Sequence, residues 1–541
     1  MLDLIIRNGR IVTAAEILPA GLEIGVKNGK IAVIGTGLEA GNDTEVVDAE
    51  GAYITPGYYT MRRSGRENSI QQDNSPTGDT WETGTRSALA GGNTTIIAFA
   101  TQKRQEASIW PSLAKYHAKA KGNSYCDYGL HLILTNASDD VLEKELPRLP
   151  EQGITSVKLY MTYQPLKLTD GDLFNVIRLA KKGNLQTYFH AVARPQIAEN
   201  EATYRAISLA EVTDTPILLV HMSAPTALSH VRAAQARLLP IHAETCPHYL
   251  YLTSSRLRSG PHQHDIEGAT HICAPPLRHD AQDLETLWQE LANGTYTIVS
   301  SDHAPARFDH ADGKQRALVR NAETGQTHVD FRAVPNGLPG IETRLPLLFH
   351  RTYDPEVGPP GDELVRISLP RFVALTSTNP AQLYGLAHCK GSLQPGLDAD
   401  IVIWYPEAVP TVTENGTGGG ASVNTTAVDS VDGSADLVVP STHSVNGDPA
   451  VQRSPRPARF TIRNADLHHR IDYTPFEGME VRNWPRYVFL RGQRVWDRDH
   501  GGVLGAKGDG AFLMRKRSRI LTGQMGRTAT GMTKGEWGSW M

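Results

Sequence analysis

Only four of the 541 residues are cysteine (Cys126, Cys246, Cys273 and Cys389), and no two of them form a CxxC pair. That scatter argues against a disulfide scaffold and a thiolate zinc site, and it fits a reducing compartment. No apolar run approaches 18 residues, so no membrane-spanning helix is expected. The opening MLDLIIRNGRIV lacks a basic segment followed by a long apolar core, so no secretory leader is expected and the cytoplasm is the expected address. Neither sign of charge dominates. With 54 basic and 58 acidic side chains the net charge is −4, which gives no drive towards nucleic acid or an anionic membrane. The cluster Arg515-Lys516-Arg517 with Arg519 is local and reads as a solvated tail. One further absence is local too: there is no histidine between Tyr58 and Gln71.

What is present is an ordinary globular composition, 40% hydrophobic and 21% charged, in a chain too long for one domain unless that domain is a large barrel with an appendage. The first 50 residues alternate apolar and polar in short runs, with Asn-Gly at 8–9 and 28–29 as hairpin turns. From about 90 to 385 the rhythm changes. β-Branched runs such as TTIIAFA, ITSVKLYM and PILLVHMS alternate with helical stretches such as TDGDLFNVIRLAKK. Repeated strand–helix alternation over this length predicts an α/β fold, a (β/α)8 TIM-type barrel spanning 56–389. Hairpin-like sequence returns after 390, so segments 1–55 and 390–513 are expected to form one composite β-sandwich domain. Within it, 406–458 is rich in Gly, Ser, Thr and Asn and reads as a disordered insertion, and 514–541 reads as a flexible tail.

In such a barrel the chemistry gathers at the C-terminal strand ends. Lys158 lies in SVKLYM, His221 closes ILLVH and Asp302 closes TIVSSD. A lysine inside an apolar strand is costly to bury as a cation, and becomes intelligible as a carbamate, an anion able to bridge two divalent metals. An imidazole and a carboxylate are natural companions for zinc. Each residue also has a plain alternative: a snorkelling lysine, a hydrogen-bonded core histidine, a helix cap. His131, His242 and His303 read as structural.

The stretches DNSPTGDTWETGTRSALAGGNTTIIAFA, SVKLYMTY, RPQIAENEATYRAISLAE, ILLVHMSAPTAL, ETCPHYLYLT, APPLR, VSSDHAP and VPNGLPGIETRLPLLF resemble the dihydropyrimidinase/hydantoinase family of the amidohydrolase superfamily. KGSLQPGLDADIVIW and DYTPFEGMEV extend the resemblance into the C-terminal part. It implies a hydrolase that opens a cyclic amide C–N bond of the dihydropyrimidine or hydantoin type, using two zinc ions per subunit and a bridging hydroxide. It implies Lys158 as the carbamylated bridge, His221 on one metal, and Asp302 on the other as general base and acid. Tyr163 would donate to the oxyanion and bind substrate, and Ala274 and Asn336 would meet the ring mainly through their backbones. A homotetramer is also implied.

The sequence departs from that pattern twice. The family places an HxH pair after Pro-Gly, where this chain runs Tyr58-Tyr59-Thr60-Met61-Arg62-Arg63; guanidinium cannot replace imidazole because it stays protonated. The second departure concerns the HAEN-like strand. His190, in QTYFHAVARP, stands 190 − 158 = 32 residues after Lys158, yet its neighbours match the later YHAxxRP segment. A strand and its helix therefore read as excised, with LQTYFHAV available as a replacement strand that would bring His190 to the metal face. Three explanations stay open at this point: an error in the coding sequence, an inactive relative acting as an assembly protein, and an altered one-metal enzyme.

Overall fold

The computed structural model describes residues 1–62, 77–183, 185–191, 195–258, 266–320, 325, 327–355, 365–407 and 459–520. The expected insertion at 406–458 falls almost wholly outside these residues, as does the tail beyond 520 and most of the interval between Tyr58 and Gln71.

Eight parallel strands form the central sheet: β1 (Tyr58–Arg62), β2 (Asn93–Thr101), β3 (Asp127–Ile133), β4 (Ser156–Tyr160), β5 (Gln186–His190), β6 (Ile217–Leu219), β7 (Ile241–Thr245) and β8 (Ile298–Val299). They pair in sequence order from β1 to β8. The ends of the sheet meet through side chains, with Thr60 donating to Ser301 Oγ at 2.7 Å and the Ser301 amide donating to Thr60 Oγ1 at 3.0 Å. This is the (β/α)8 TIM-type barrel. Its strands are buried on both faces, which is why β2 reads NTTIIAFAT rather than alternating. Helices α1 (Trp81–Ala90), α2 (Trp110–Ala120), α3 (Asp170–Lys182), α4 (Gln196–Thr213), α5 (Pro225–Ala236) and α6 (Ala281–Ala292) follow most of them. Thr169 caps α3 in a reciprocal box with Asp172, so the sequence starts that helix at a defined residue.

The barrel has its eight strands, with Gln186–His190 in the fifth position. Tyr160 lies opposite His190 on the β4 side, and Phe189 lies opposite Leu219 on the β6 side.

The two chain ends build the second domain together. Strand Tyr53–Pro56 pairs antiparallel with Ile401–Trp404, which pairs with Pro485–Leu490. A four-stranded sheet from residues 4–48 packs against this one over Ile6, Ile24, Val26, Ile54, Ile403 and Phe489. The chain enters the barrel at Gly57, where a Cβ would come within 2.3 Å of Thr94 Oγ1, so the crossing requires glycine.

In the basic C-terminal cluster Lys516, Arg517 and Arg519 are exposed, but Arg515 departs from the reading of a solvated tail. Arg515 is only 3% exposed. Its segment runs across the N-terminal end of the barrel, with Leu513 N donating to Tyr128 O at 2.8 Å and the Arg515 guanidinium donating to Leu130 O. Gly129 leaves room for the Arg515 stem, since a Cβ there would already touch Arg515 Cδ at 3.4 Å. A barrel floor needs a cover, and local charge pattern does not show which residues provide it.

Several histidines are buried neutral, which sets an acid limit on stability. Burial pushes His242 down to about 4 and His248 down to about 3. Unfolded histidines take up a proton near pH 6.5 while these resist until far lower pH, so the unfolded state binds more protons across that window. Stability is then full above pH 6.5 and falls by about 1.4 kcal/mol per pH unit for each such histidine as pH drops towards 4. Urea midpoints between pH 7 and 4.5 check this, and His248→Gln should make the decline shallower.

Candidate active site

Register places the chemistry. Alternate residues of each strand face the barrel axis, and Lys158, Tyr188 and His190 lie on that side at the centre and upper end. Lys158 is 1% exposed, its ammonium 4.3 Å from the centre of the Phe99 ring and 5.5 Å from that of Tyr160. His190 ends β5 and meets His221, just past β6, with His190 Nδ1 and His221 Nε2 2.7 Å apart. Their rings are nearly perpendicular, and His190 also packs against Tyr160 and Tyr163, at 4.6 and 5.3 Å between ring centres.

Nine non-glycine residues among those described have positive φ, and Tyr163 (66°), His221 (43°) and Asp302 (39°) are three of them. Such backbone costs energy for a side chain with a Cβ and concentrates where a structure holds groups for function. All three follow the C-terminal end of a barrel strand. The strain therefore marks the same mouth as the side chains.

Glu244 links these groups and was not singled out in the sequence. It lies on β7, fully buried, and the His221 amide donates to its Oε1 at 3.4 Å. Burial pushes its carboxyl up to about 8, with Asp302 adding to the rise and Ser300 and Lys158 opposing it. The signal was available: an acidic residue in the apolar run PIHAETC is as anomalous as Lys158 in SVKLYM.

Behind His221 lies a buried ion pair, also unread from the sequence although both partners fall within family-like stretches. Glu199 of α4 accepts from the amides of Ser223 and Ala224 at 2.9 and 3.1 Å and pairs with Arg278. Arg278 also donates to Ser223 Oγ through Nε at 3.1 Å. Together they fix the turn that carries His221. On the other side, His303 pairs with Asp79 at 2.7 Å while its Nδ1 accepts from the Gly340 amide at 3.2 Å, which fixes the backbone next to Asp302.

Ala274 and Asn336 lie on adjoining loops. The Gly337 amide donates to Ile272 O at 3.0 Å, and Ala304 N donates to Leu338 O at 3.1 Å, which ties both loops to the one carrying Asp302. Ala274 is buried and Asn336 half-buried.

The donors among the described residues do not fit a two-metal centre. Among the described residues, no three of His, Cys, Asp and Glu gather in a metal-holding group. β1 offers tyrosines instead. Tyr58 turns outward, donating to Thr55 Oγ1 at 2.6 Å and packing on Phe372 and Trp404. Tyr59 is buried in the barrel interior, and burial holds its phenol well above the usual range, so it stays neutral. Neither is a phenolate ligand.

Residues 78–495 match the amidohydrolase family. The chain is 34% identical over 543 residues to the D-hydantoinase of Ralstonia pickettii, covering 95% of this chain and 99% of that one. It is 33% identical over 545 residues to the D-hydantoinase of Geobacillus stearothermophilus, covering 96% and 97%. Among solved structures, a D-hydantoinase matches with a TM-score of 0.76 at 33% identity over 96% of this chain and all of that one. The dihydropyrimidinase of Brevibacillus agri matches with a TM-score of 0.76 at 30% identity, over 95% and 98%. Relatives of this family generally use a metal centre. With a full-length barrel, a strand-end cluster and this breadth of similarity, the chain belongs to the dihydropyrimidinase/hydantoinase family of the amidohydrolase superfamily.

Proposed function

We propose that this protein is a hydrolase of cyclic amide C–N bonds, acting on small rings of the hydantoin or dihydropyrimidine type, and that its catalytic power is reduced relative to a complete two-metal site. The observation that carries the reading is the His190–His221 pair at 2.7 Å on adjacent strand ends, in a chain similar over nearly its whole length to D-hydantoinases. Asp302 is assigned as the base that takes a proton from the water attacking the ring carbonyl and delivers it to the ring nitrogen as the C–N bond breaks. Tyr163, 37% exposed at the mouth, is assigned as the donor to the oxygen that gains charge when the ring carbonyl is attacked. Ala274 and Asn336 are assigned to hold the ring. The described residues do not assemble a metal-holding group of His, Cys, Asp and Glu side chains. The reduced rate follows from that shortfall.

Ring opening of hydantoin and dihydrouracil, followed by loss of ultraviolet absorbance, tests the assignment. Turnover that disappears in both Asp302→Asn and His221→Ala supports it. Turnover indifferent to both substitutions, or none on either ring, refutes it.

A further inference from the structure

Lys314 is fully buried, yet it belongs to none of the groups described so far. Its ammonium donates to three main-chain carbonyls: Pro335 O at 2.7 Å, Gly337 O at 2.9 Å and Ile272 O at 3.2 Å. An ammonium has three N–H donors, and three carbonyls use all of them. Two acceptors flank Asn336 and the third lies two residues before Ala274. The Gly337 amide reaches the same Ile272 carbonyl at 3.0 Å, so that oxygen accepts from both sides of the junction.

The local sequence is built around this placement. Lys314 N donates to Arg307 O at 2.8 Å, and at Gly313 a Cβ would come 2.0 Å from that same oxygen. Gly337 has φ 120° and would bring a Cβ within 2.1 Å of Ala304 O, so the Asn336 loop presses directly on the strand-end loop that carries Asp302. Ala317, three residues further on, forms a small core with Ala269 and Val334. A methionine has a side chain of about the same reach but no donor. What only an ammonium supplies is simultaneous donation to both loops.

We propose that Lys314 is a positioning residue for the ring-binding pocket: its ammonium sets the spacing between the loop at 272–274 and the loop at 335–337. The role in substrate binding rests on the function proposed above; the tie between the loops does not. A buried cation is costly, and hydrogen bonds from charged groups are the stronger kind, so this geometry holds two backbone segments more tightly than neutral contacts would.

The test compares the parent protein with Lys314→Met and Lys314→Arg. Loss of the charged donors should raise amide exchange at 273–274 and 336–338 about tenfold or more in Lys314→Met, with the remaining barrel strands unchanged. KM for hydantoin should rise about tenfold while kcat moves much less, because the loops bind the ring equally in ground and transition states. Lys314→Arg keeps the charge but not the compact three-donor head, and should fall between the two. Unchanged exchange at both loops overturns the tie. A lower melting temperature with unchanged KM overturns the positioning role and leaves a purely structural one. A parent chain that neither binds nor opens hydantoin overturns the functional reading and the positioning role with it, whereas the exchange data still report on the tie.

Discussion

Lys390→Met should cost about 3–5 kcal/mol of folding stability, the largest single-substitution loss expected anywhere in this chain. Lys390 is fully buried, and its ammonium stands 2.6 Å from Asp400, 2.9 Å from Asp127 and 3.3 Å from Asp398. Burial works against the charge, but Asp400, Asp127 and Asp398 together hold the ammonium pKa well above its usual range. Arg491 pairs with Asp127 from the other side, and its amide donates to Asp400 at 3.0 Å. These residues join the start of β3, the sandwich strand at 401–404 and the turn at 491, next to the Gly57 crossing. Removing the lysine leaves Asp127 to the Arg491 guanidinium and Asp398 to the Lys30 ammonium at 2.8 Å, while buried Asp400 loses its cation, at the seam where both domains meet. The cost is that of stranded buried charge rather than of one lost contact. Urea titration of both proteins gives the difference. Adding Asp400→Asn to Lys390→Met should recover part of the loss, because it removes one stranded charge. A loss below about 1 kcal/mol would show that water reaches the cluster and that the seam is not held this way.

Arg278→Met should be nearly as severe, at about 3–5 kcal/mol, with a local signature as well. Glu199 and Arg278 are 1% and 5% exposed, and without the guanidinium the carboxylate is left with the Ser223 and Ala224 amides and the Ser223 hydroxyl. Those groups form the turn just after His221. Amide exchange at 222–224 should rise before that of β6 itself, and ring-opening activity should fall further than the loss of folded protein explains. Glu199→Gln alone strands the arginine instead. The double substitution Glu199→Gln/Arg278→Met should cost less than the sum of the two, since neither charge is then left without its partner. Additive losses would show that the two residues do not act as a pair.

Much of this architecture was legible in the sequence, and the reasons are local. Parallel strands buried on both faces announce themselves as β-branched runs, so β2, β4 and β6 could be placed from TTIIAFA, ITSVKLYM and PILLVHMS. Lys158 and His221 stood out because charge or polarity at the end of such a run needs a reason. The fifth strand was harder. Its residues read as a segment from elsewhere in the expected pattern, and only the pairing of Gln186–His190 with both neighbours shows it as the fifth strand, bringing His190 to His221. Glu199, Arg278 and Lys314 stayed hidden for another reason. Their partners lie 24 residues (Glu199 with Ser223), 79 residues (Arg278 with Glu199) and 42 residues (Lys314 with Ile272) away, and no local period reports a contact made across loops. Arg515 went astray the same way, since a run of basic residues looks solvated until something is found above it.

The central claim is that the barrel mouth is a hydrolytic site built on the His190–His221 pair and short of a full metal complement. The most direct measurement is metal content per chain after zinc loading and removal of excess, read together with hydantoin turnover in the same sample. The expected result is fewer than two zinc ions per chain, with turnover lost in His221→Ala. Two zinc ions per chain, or turnover that survives His221→Ala, would contradict it.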